Sequence, residues 1–169
     1  MIRPILRLGD SVLNQPARPV EAITAETESL IDDMIETMYG APGVGLAAPQ
    51  VGVPLRVFVI DLSGGRDPAG LHVMVNPEFV EREGMQLEDE GCLSVPGFTA
   101  TVARPQRAVV TGLDRHGEAH RLEGTGLLAR ALQHEMDHLD GHLFLDRLRG
   151  ISRDLILRKV RKLVKAGKW

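Results

Sequence analysis

The sequence contains a single cysteine, no long apolar run and no excess of positive charge. One cysteine, Cys92, excludes an intramolecular disulfide and favours a reducing compartment. No apolar stretch is long enough to cross a bilayer, and the first seven residues lack the apolar core and cleavage site of a secretory signal. The net charge of -3 argues against a general role in binding DNA or other nucleic acids. Together these absences favour a cytoplasmic protein that makes no contact with a membrane.

The composition and the order of predicted elements favour one α+β domain that spans residues 1–169. The chain is 43% apolar and 25% charged, and it contains no internal repeat or linker. Ile31, Met34 and Met38 recur at helical spacing, whereas a strand that begins at His72 is expected to stop at Asn76. The predicted helices cover residues 24–39 and 152–165, and the predicted strands cover 56–60, 72–75, 98–102, 107–113 and 119–122. One further helix carries the most informative motif of the chain, so the order is helix, strands and then two helices.

That motif is H-E-x-x-H, formed by His134, Glu135 and His138. Residues four apart lie on the same face of a helix, so the two imidazoles can converge on one metal ion. Glu135 then lies beside the ion, where it can move protons to and from a bound water. Thr125 is expected to cap this helix, and Gly141 is expected to end it. The alternative is an amphipathic helix with ordinary surface charges.

A catalytic metal site usually has a third protein ligand, and Cys92 is one candidate. Its alternatives are an inert buried thiol and a redox-sensing thiol. A zincin-like metalloendopeptidase would take its third ligand further along the chain. The metzincin pattern fails, however, because Phe144 stands where its last histidine belongs, and no glutamate follows Glu135. The protease alternative is therefore weakened but stays open.

Three segments together resemble the peptide deformylase family, in that family's order and spacing. They are residues 43–50 (GVGLAAPQ), 90–94 (EGCLS) and 133–138 (QHEMDH). The resemblance covers nearly the whole chain and implies antiparallel sheets around a central metal-binding helix, with one helix before it and one after it. It also implies a hydrolase that removes the N-formyl group from the initiator methionine of new polypeptides and releases formate. Bacterial-type members use Fe²⁺, and Zn²⁺, Ni²⁺ or Co²⁺ can substitute.

The resemblance also assigns roles to individual residues. It implies that Cys92, His134 and His138 bind the metal and that a metal-bound water attacks the formyl carbon. Glu135 would act as general base and then as general acid. The backbone N–H of Leu93 and the side-chain amide of Gln50 would donate hydrogen bonds to the formyl oxygen.

The walls of the substrate cleft are predicted from the same resemblance. Gly45 would let a substrate backbone approach closely, and a pocket for the methionine side chain would be lined by Val44, Leu127 and Ala131. Arg104 could pair with Glu90 and brace the strand that carries Cys92. The alternative for that pair is a surface ion pair of little energetic value.

The last predicted helix is basic on one face and apolar on the other. A docked helix with a solvated charged face explains this pattern. A sharper hypothesis is contact with ribosomal RNA near the exit of the nascent chain. The resemblance is to bacterial-type proteins, which places the chain in the cytoplasm, and an organellar origin stays open. The basic residues are Arg153, Arg158, Lys159, Arg161, Lys162, Lys165 and Lys168, and the apolar residues are Leu155, Ile156, Val160, Leu163 and Val164.

Overall fold

The computed structural model describes all residues from 1 to 169 and contains three α-helices and seven strands. Three short 3-10 helices connect some of these elements. The predicted α+β class is confirmed, because the strands pair antiparallel and do not alternate one by one with the helices. No helix is both long enough and apolar enough to span a membrane. The helices are α1 (Ala25–Gly40), α2 (Gly126–Leu139) and α3 (Ser152–Lys165), and the strands are β1 (Gly45–Ala47), β2 (Val57–Ile60), β3 (His72–Glu83), β4 (Gln86–Gly91), β5 (Thr99–Arg104), β6 (Arg107–Leu113) and β7 (Ala119–Thr125).

Five strands form a central sheet in the order β1-β2-β3-β6-β7, and β4 and β5 form a separate two-stranded sheet. Side chains of β2 alternate between two apolar clusters, as the two-residue period of a strand requires. Phe58 packs with Leu132 and Leu139 of α2, whereas Val57 packs with Met34 of α1. The central sheet therefore lies between α1 and α2, and both of its faces are buried there.

The strand predicted to stop at Asn76 continues to Glu83, so this prediction was wrong. Asn76 adopts a left-handed backbone conformation with φ of 51°, and the pairing register shifts between Val75 and Glu78. The Asn76 side chain accepts a hydrogen bond from the N–H of Val20 at 2.7 Å and donates one to its carbonyl at 2.8 Å. A bulge absorbs the Asn-Pro pair without ending the strand, because asparagine tolerates this conformation. Strands β1 and β4 were not predicted.

The ends of α2 agree only in part with expectation. Gly141 has a φ of 83°, the left-handed conformation expected at a helix end, and so confirms that prediction. Thr125 precedes the helix, but its side chain makes no capping hydrogen bond, so the predicted cap was wrong. A capping box does exist at α1, where Thr24 and Thr27 bond reciprocally.

The apolar stripe of α3 is narrower than predicted. Ile156 and Val160 are buried, whereas Leu155 and Val164 are 44% and 57% exposed. The two buried side chains pack into a third apolar cluster with Val95, Val102 and Phe144. The helix therefore docks through a short contact with β5, the loop before β5 and the segment after α2, and its basic residues are exposed.

Candidate metal centre and cleft

Helix α2 and the end of β4 bring three potential metal ligands together. His134 and His138 lie one turn apart on α2, with 3.3 Å between their Nε2 atoms. Cys92 follows β4, and its Sγ lies 3.3 Å from Nε2 of His138. The three ligand atoms lie within 4.8 Å of one another. The structure thus joins two sequence segments that are more than forty residues apart, as the metal-site prediction requires.

The three side chains fit a divalent transition metal. Two imidazole nitrogens that share one tetrahedral zinc ion at 2.0–2.1 Å lie about 3.3–3.4 Å apart, the separation found here. Burial alone would lower the pKa of His134, but the sulfur of Cys92 and the carboxylate of Glu90 raise it well above its ordinary value. These two groups make the site attractive to a cation. The position of Cys92 beside these two histidines favours its interpretation as a metal ligand over that as an inert thiol.

Glu90 fixes the orientation of His134. Its Oε2 lies 2.7 Å from Nδ1 of His134, which leaves the other ring nitrogen directed at His138 and Cys92. A histidine ligand commonly donates its second N–H to a carboxylate in this way. Glu90 is buried, so its charge needs partners other than this imidazole.

Two arginines supply those partners. Arg104 donates to Glu90 from Nε at 2.8 Å and from Nη2 at 2.6 Å, and Arg130 donates from Nη1 at 2.9 Å. Burial would raise the pKa of Glu90, but the hydrogen bonds from Arg104 and His134 hold it well below its ordinary value. The predicted pairing of Arg104 with Glu90 exists, and the alternative of a surface pair is wrong because both side chains are buried.

Three members of this charged network were missed by sequence reasoning. Asp137 accepts from Arg104 at 2.9 Å, and Arg147 donates to the same carboxylate at 2.6 Å. The third member, Arg130, precedes His134 by four residues and therefore shares its helix face. That spacing was the available signal. No comparable local signal pointed to Arg147.

Glu135 is buried at the cleft, and its Oε2 has no hydrogen-bond partner within the protein. A buried, unpaired carboxylate oxygen is costly, so a functional reason for it is expected. Burial raises the pKa of Glu135 to about 7. Gly45 lies directly against this carboxylate, since a Cβ at that position would approach Oε2 to 3.1 Å.

Gln50 and Leu93 flank the metal ligands from two other segments. The Gln50 side chain is buried, with Oε1 accepting from the N–H of Ala47 at 2.9 Å and Nε2 donating to Oγ of Ser94 at 3.1 Å. The same Nε2 lies 3.7 Å from Sγ of Cys92. Leu93 follows Cys92 directly and lines the cleft. The side-chain amide predicted to serve the reaction therefore lies beside the cluster of ligands.

A cavity of about 680 Å³ opens onto these groups. The edges of β1 and β4 border it, together with α2 and the segment after Cys92. All four residues predicted to contact substrate, Gly45, Val44, Leu127 and Ala131, line the cavity. Leu127 is 58% exposed and therefore forms part of the rim of the cavity.

Comparison with known proteins agrees with this arrangement over nearly the whole chain. The profile of the family described as polypeptide deformylase matches residues 2–154. A peptide deformylase of Acidobacterium capsulatum is 49% identical over 169 residues, which is 100% of this chain and 99% of that protein. The chain belongs to the polypeptide deformylase family. It is therefore a hydrolase that removes the N-formyl group from nascent polypeptides, and the endopeptidase alternative is not favoured.

Solved structures of peptide deformylases show the same fold. A structure from Legionella pneumophila superimposes with a TM-score of 0.92 at 47% identity and covers 99% of this chain and 98% of its own. A structure from Synechococcus elongatus, determined in complex with actinonin, has a TM-score of 0.87 at 43% identity, with 99% and 90% coverage. Deformylases of this family depend on a metal, and the Cys92, His134 and His138 group could hold one.

Proposed function

We propose that deformylation takes place where the unpaired oxygen of Glu135 borders the three potential metal ligands. The supporting observation is the convergence of Cys92, His134 and His138 beside a buried carboxylate at the end of an open cleft. A purely structural metal site would fill its fourth position with a protein ligand and would need no proton carrier.

Cys92, His134 and His138 hold the metal ion in this proposal. When bound, a divalent ion supplies Lewis acidity that lowers the pKa of a coordinated water towards about 7. One thiolate with two imidazoles suits Fe²⁺, Zn²⁺, Co²⁺ and Ni²⁺. We assign Fe²⁺ as the native ion on the resemblance to bacterial-type deformylases, with the other three as substitutes.

Glu135 moves the proton. Its unpaired Oε2 takes a proton from the attacking water and then delivers it to the departing amine, which is a poor leaving group while uncharged. A pKa raised to about 7 by burial suits a group that must both accept and release a proton near neutral pH.

Gln50 and Leu93 stabilise the negative charge that develops on the formyl oxygen. The Gln50 amide is held by Ala47 and Ser94, so its Nε2 needs little reorganisation to reach a group near Cys92. The backbone N–H of Leu93 is the second donor in the proposal. Loss of one such donor typically costs about 10²–10³ in rate.

The peptide binds in the cleft between β1 and β4. Gly45 leaves room for its backbone beside Glu135, and Val44, Leu127 and Ala131 line the pocket for the methionine side chain. Arg130 also borders the cavity, but its guanidinium is turned to Glu90, Gln86 and the carbonyl of Val102. The charged head is therefore satisfied by the protein and does not conflict with an apolar substrate side chain.

The test is release of formate from formyl-Met-Ala by anaerobically purified protein, together with its metal content. We expect one equivalent of bound divalent metal, activity on the formyl peptide, loss of activity in oxygen if the ion is Fe²⁺, and no cleavage of casein. Casein cleavage would support the endopeptidase instead. Bound metal with neither activity would contradict the assignment of these residues to deformylation.

We further propose that α3 contacts the ribosome through its basic face. Its basic residues are exposed, whereas Ile156 and Val160 anchor the helix on the body of the protein. Truncation of α3 would expose that apolar cluster, so charge reversal is the cleaner test. Lys159→Glu with Lys162→Glu should weaken salt-sensitive binding to purified ribosomes and leave activity on a short formyl peptide unchanged. Salt-independent or absent binding by the unaltered chain would contradict the proposal.

The substrate supports a cytoplasmic location, and the family profile together with the packing of α3 supports a single domain. Formylated nascent chains arise in the compartment of translation, which in bacteria is the cytoplasm. The family profile covers residues 2–154, and α3 adds two buried side chains to an apolar cluster of that same body. We therefore assign residues 1–169 to one deformylase domain.

A further inference from the structure

Trp169 packs against the part of the chain that forms one wall of the cleft. Its ring centroid lies 6.1 Å from that of Phe98, with the two planes inclined by 56°. Its Nε1 donates a hydrogen bond to the carbonyl of Leu8 at 2.9 Å. The guanidinium of Arg7 lies 5.9 Å from the centroid of the same ring. The segment after α3 thus contacts two other segments through one side chain.

Phe98 and Val95 both line the cleft. Val95 is fully buried in the apolar cluster that contains Ile156 and Val160 of α3, and Phe98 and Trp169 pack on that cluster. Gly97, between Val95 and Phe98, has a φ of 85° and is exposed, so this segment packs through Val95 and Phe98. The cleft wall therefore packs in part on α3 and on Trp169, beside Val102 and Phe144 of the same cluster.

Leu8 connects the same tryptophan to two loops of the reaction site. The N–H of Leu8 donates to the carbonyl of Ser94 at 2.8 Å, and the N–H of Leu6 donates to the carbonyl of Gln50 at 2.7 Å. Residues 6–8 therefore link the loop of Gln50 to the loop of Ser94. The carbonyl of Leu8 accepts the hydrogen bond from Trp169, whereas the Gln50 side chain is held directly by Ala47 and Ser94.

We propose that Trp169 is a positioning residue that sets the affinity of the cleft for its peptide by holding the wall formed by residues 95–98. The inference rests on the proposed assignment of this cleft as the peptide site. It predicts that loss of the Trp169 contact raises KM and leaves kcat nearly unchanged. His134 is held by Glu90, which Arg104 and Arg130 hold in turn, whereas the arginine at the Trp169 ring is Arg7, so the chemical step should change little. Peptide binding should weaken.

The kinetic test uses Trp169→Ala and Trp169→Phe on the full, metal-loaded chain with formyl-Met-Ala-Ser as substrate. Loss of the aromatic contact in Trp169→Ala should raise KM about 3- to 10-fold, with kcat within about 2-fold of the unaltered enzyme. Trp169→Phe keeps the ring contact with Phe98 but lacks the N–H donor, so its KM should be intermediate. Val164→Ala, at an exposed position of α3, is the matched control and should change neither constant.

A spectroscopic test is independent of turnover. Trp169 is the only tryptophan in the chain, so the tryptophan emission reports on the surroundings of this one side chain, which include Phe98, Leu8 and Arg7. Saturation with the product peptide Met-Ala-Ser should change its emission in the unaltered enzyme and in Val164→Ala, and Phe98→Ala should reduce the change.

Either unchanged emission at saturating product or a Trp169→Ala enzyme with unaltered KM would overturn the proposal. So would a fall in kcat at constant KM, which indicates only a smaller folded fraction. If Trp169→Ala does not fold, Trp169→Phe and the emission measurement still decide the question. Absence of formate release by the unaltered enzyme would instead reject the proposed function.

Discussion

Arg104 and Glu90 form a two-point ion pair in the interior, with Nε and Nη2 donating to the two carboxylate oxygens at 2.8 and 2.6 Å. The third nitrogen of the guanidinium reaches Asp137 at 2.9 Å. Both members of the pair are buried, so removal of one leaves an uncompensated charge in the interior. Because Glu90 also holds His134, the consequence extends from stability to the ligand cluster.

Glu90→Gln tests this link. The amide keeps the shape of the carboxylate but removes the charge that balances Arg104 and Arg130. We expect the free energy of unfolding to fall by roughly 3–5 kcal/mol and the metal affinity to fall about 10- to 100-fold. Urea denaturation and competition with a chelator measure the two effects. Glu88→Gln is the control, since Glu88 is exposed on the same strand. Unchanged metal retention would show that His134 does not depend on Glu90.

Glu135→Gln separates metal binding from proton transfer. The substitution removes the group that accepts the proton but leaves Cys92, His134 and His138 intact. We expect metal content close to one equivalent and a fall in kcat of about 10²–10⁴-fold. Metal analysis and formate release on the same preparation check this. A variant that keeps substantial activity would require a different base.

Cys92→Ala should have the opposite profile. The sulfur lies 3.3 Å from Nε2 of His138, and its loss leaves two ligands where three are needed. We expect impaired metal retention on dialysis and, as a result, little activity. Added metal in excess should restore part of the metal content but not normal affinity. If the variant retains its metal as tightly as Glu135→Gln does, Cys92 is not a ligand.

The sequence predicts the metal cluster better than its surroundings because the cluster depends on local spacing. Two residues that are four positions apart share a helix face whatever the rest of the fold, so local spacing alone places His134 beside His138. No spacing rule connects Cys92 to this pair, and its role as a ligand was predicted from the resemblance to a family. Its approach to His138 is a tertiary contact across forty-six positions.

The charged network and the long strand escaped prediction for the same reason. Asp137 and Arg147 meet only after the chain turns beyond α2, and the bulge at Asn76 depends on hydrogen bonds to Val20, fifty-six positions away. A local reading takes Asn-Pro as a stop, since it contains no information about the distant backbone that satisfies the asparagine. Trp169 and Leu8, which are 161 positions apart, are the extreme case.

Gly45→Ala tests the space beside Glu135. The new Cβ would lie 3.1 Å from both Cδ and Oε2 of Glu135, so the carboxylate must shift by a few tenths of an ångström. We expect kcat/KM to fall about 10- to 100-fold because the position of the base is critical. Gly43→Ala is the comparison, because its Cβ would meet the flexible end of the Leu93 side chain. Steady-state kinetics should show a smaller loss of kcat/KM in Gly43→Ala than in Gly45→Ala. Equal losses would argue against a special role for Gly45.

A further buried carboxylate, that of Asp61, has a tyrosine rather than an arginine as its partner. The hydroxyl of Tyr39 donates to Oδ2 of Asp61 at 2.5 Å, and Ser63 donates to Oδ1 from both its N–H and its hydroxyl. Burial, together with the hydrogen bond to Asp61, raises the pKa of Tyr39 to about 12. Burial alone would raise the pKa of Asp61, but hydrogen bonds from Ser63 and Tyr39 hold it below its ordinary value.

Tyr39→Phe should therefore destabilise the protein in a pH-dependent way. Near pH 7 we expect a loss of about 1–3 kcal/mol in the free energy of unfolding, because a charged acceptor loses one donor. A raised tyrosine pKa contributes stability that is complete below about pH 10 and is lost as the pH rises towards 12. A lowered aspartate pKa contributes stability above about pH 4 that is lost as the pH falls.

The difference in the free energy of unfolding between the unaltered chain and Tyr39→Phe, measured by urea denaturation, should be constant from pH 6 to 9 and shrink by pH 11. Ser63→Ala is the control, since it removes a donor that does not titrate and should show no comparable alkaline decline. A difference independent of pH up to 12 would mean that Tyr39 and Asp61 are not coupled.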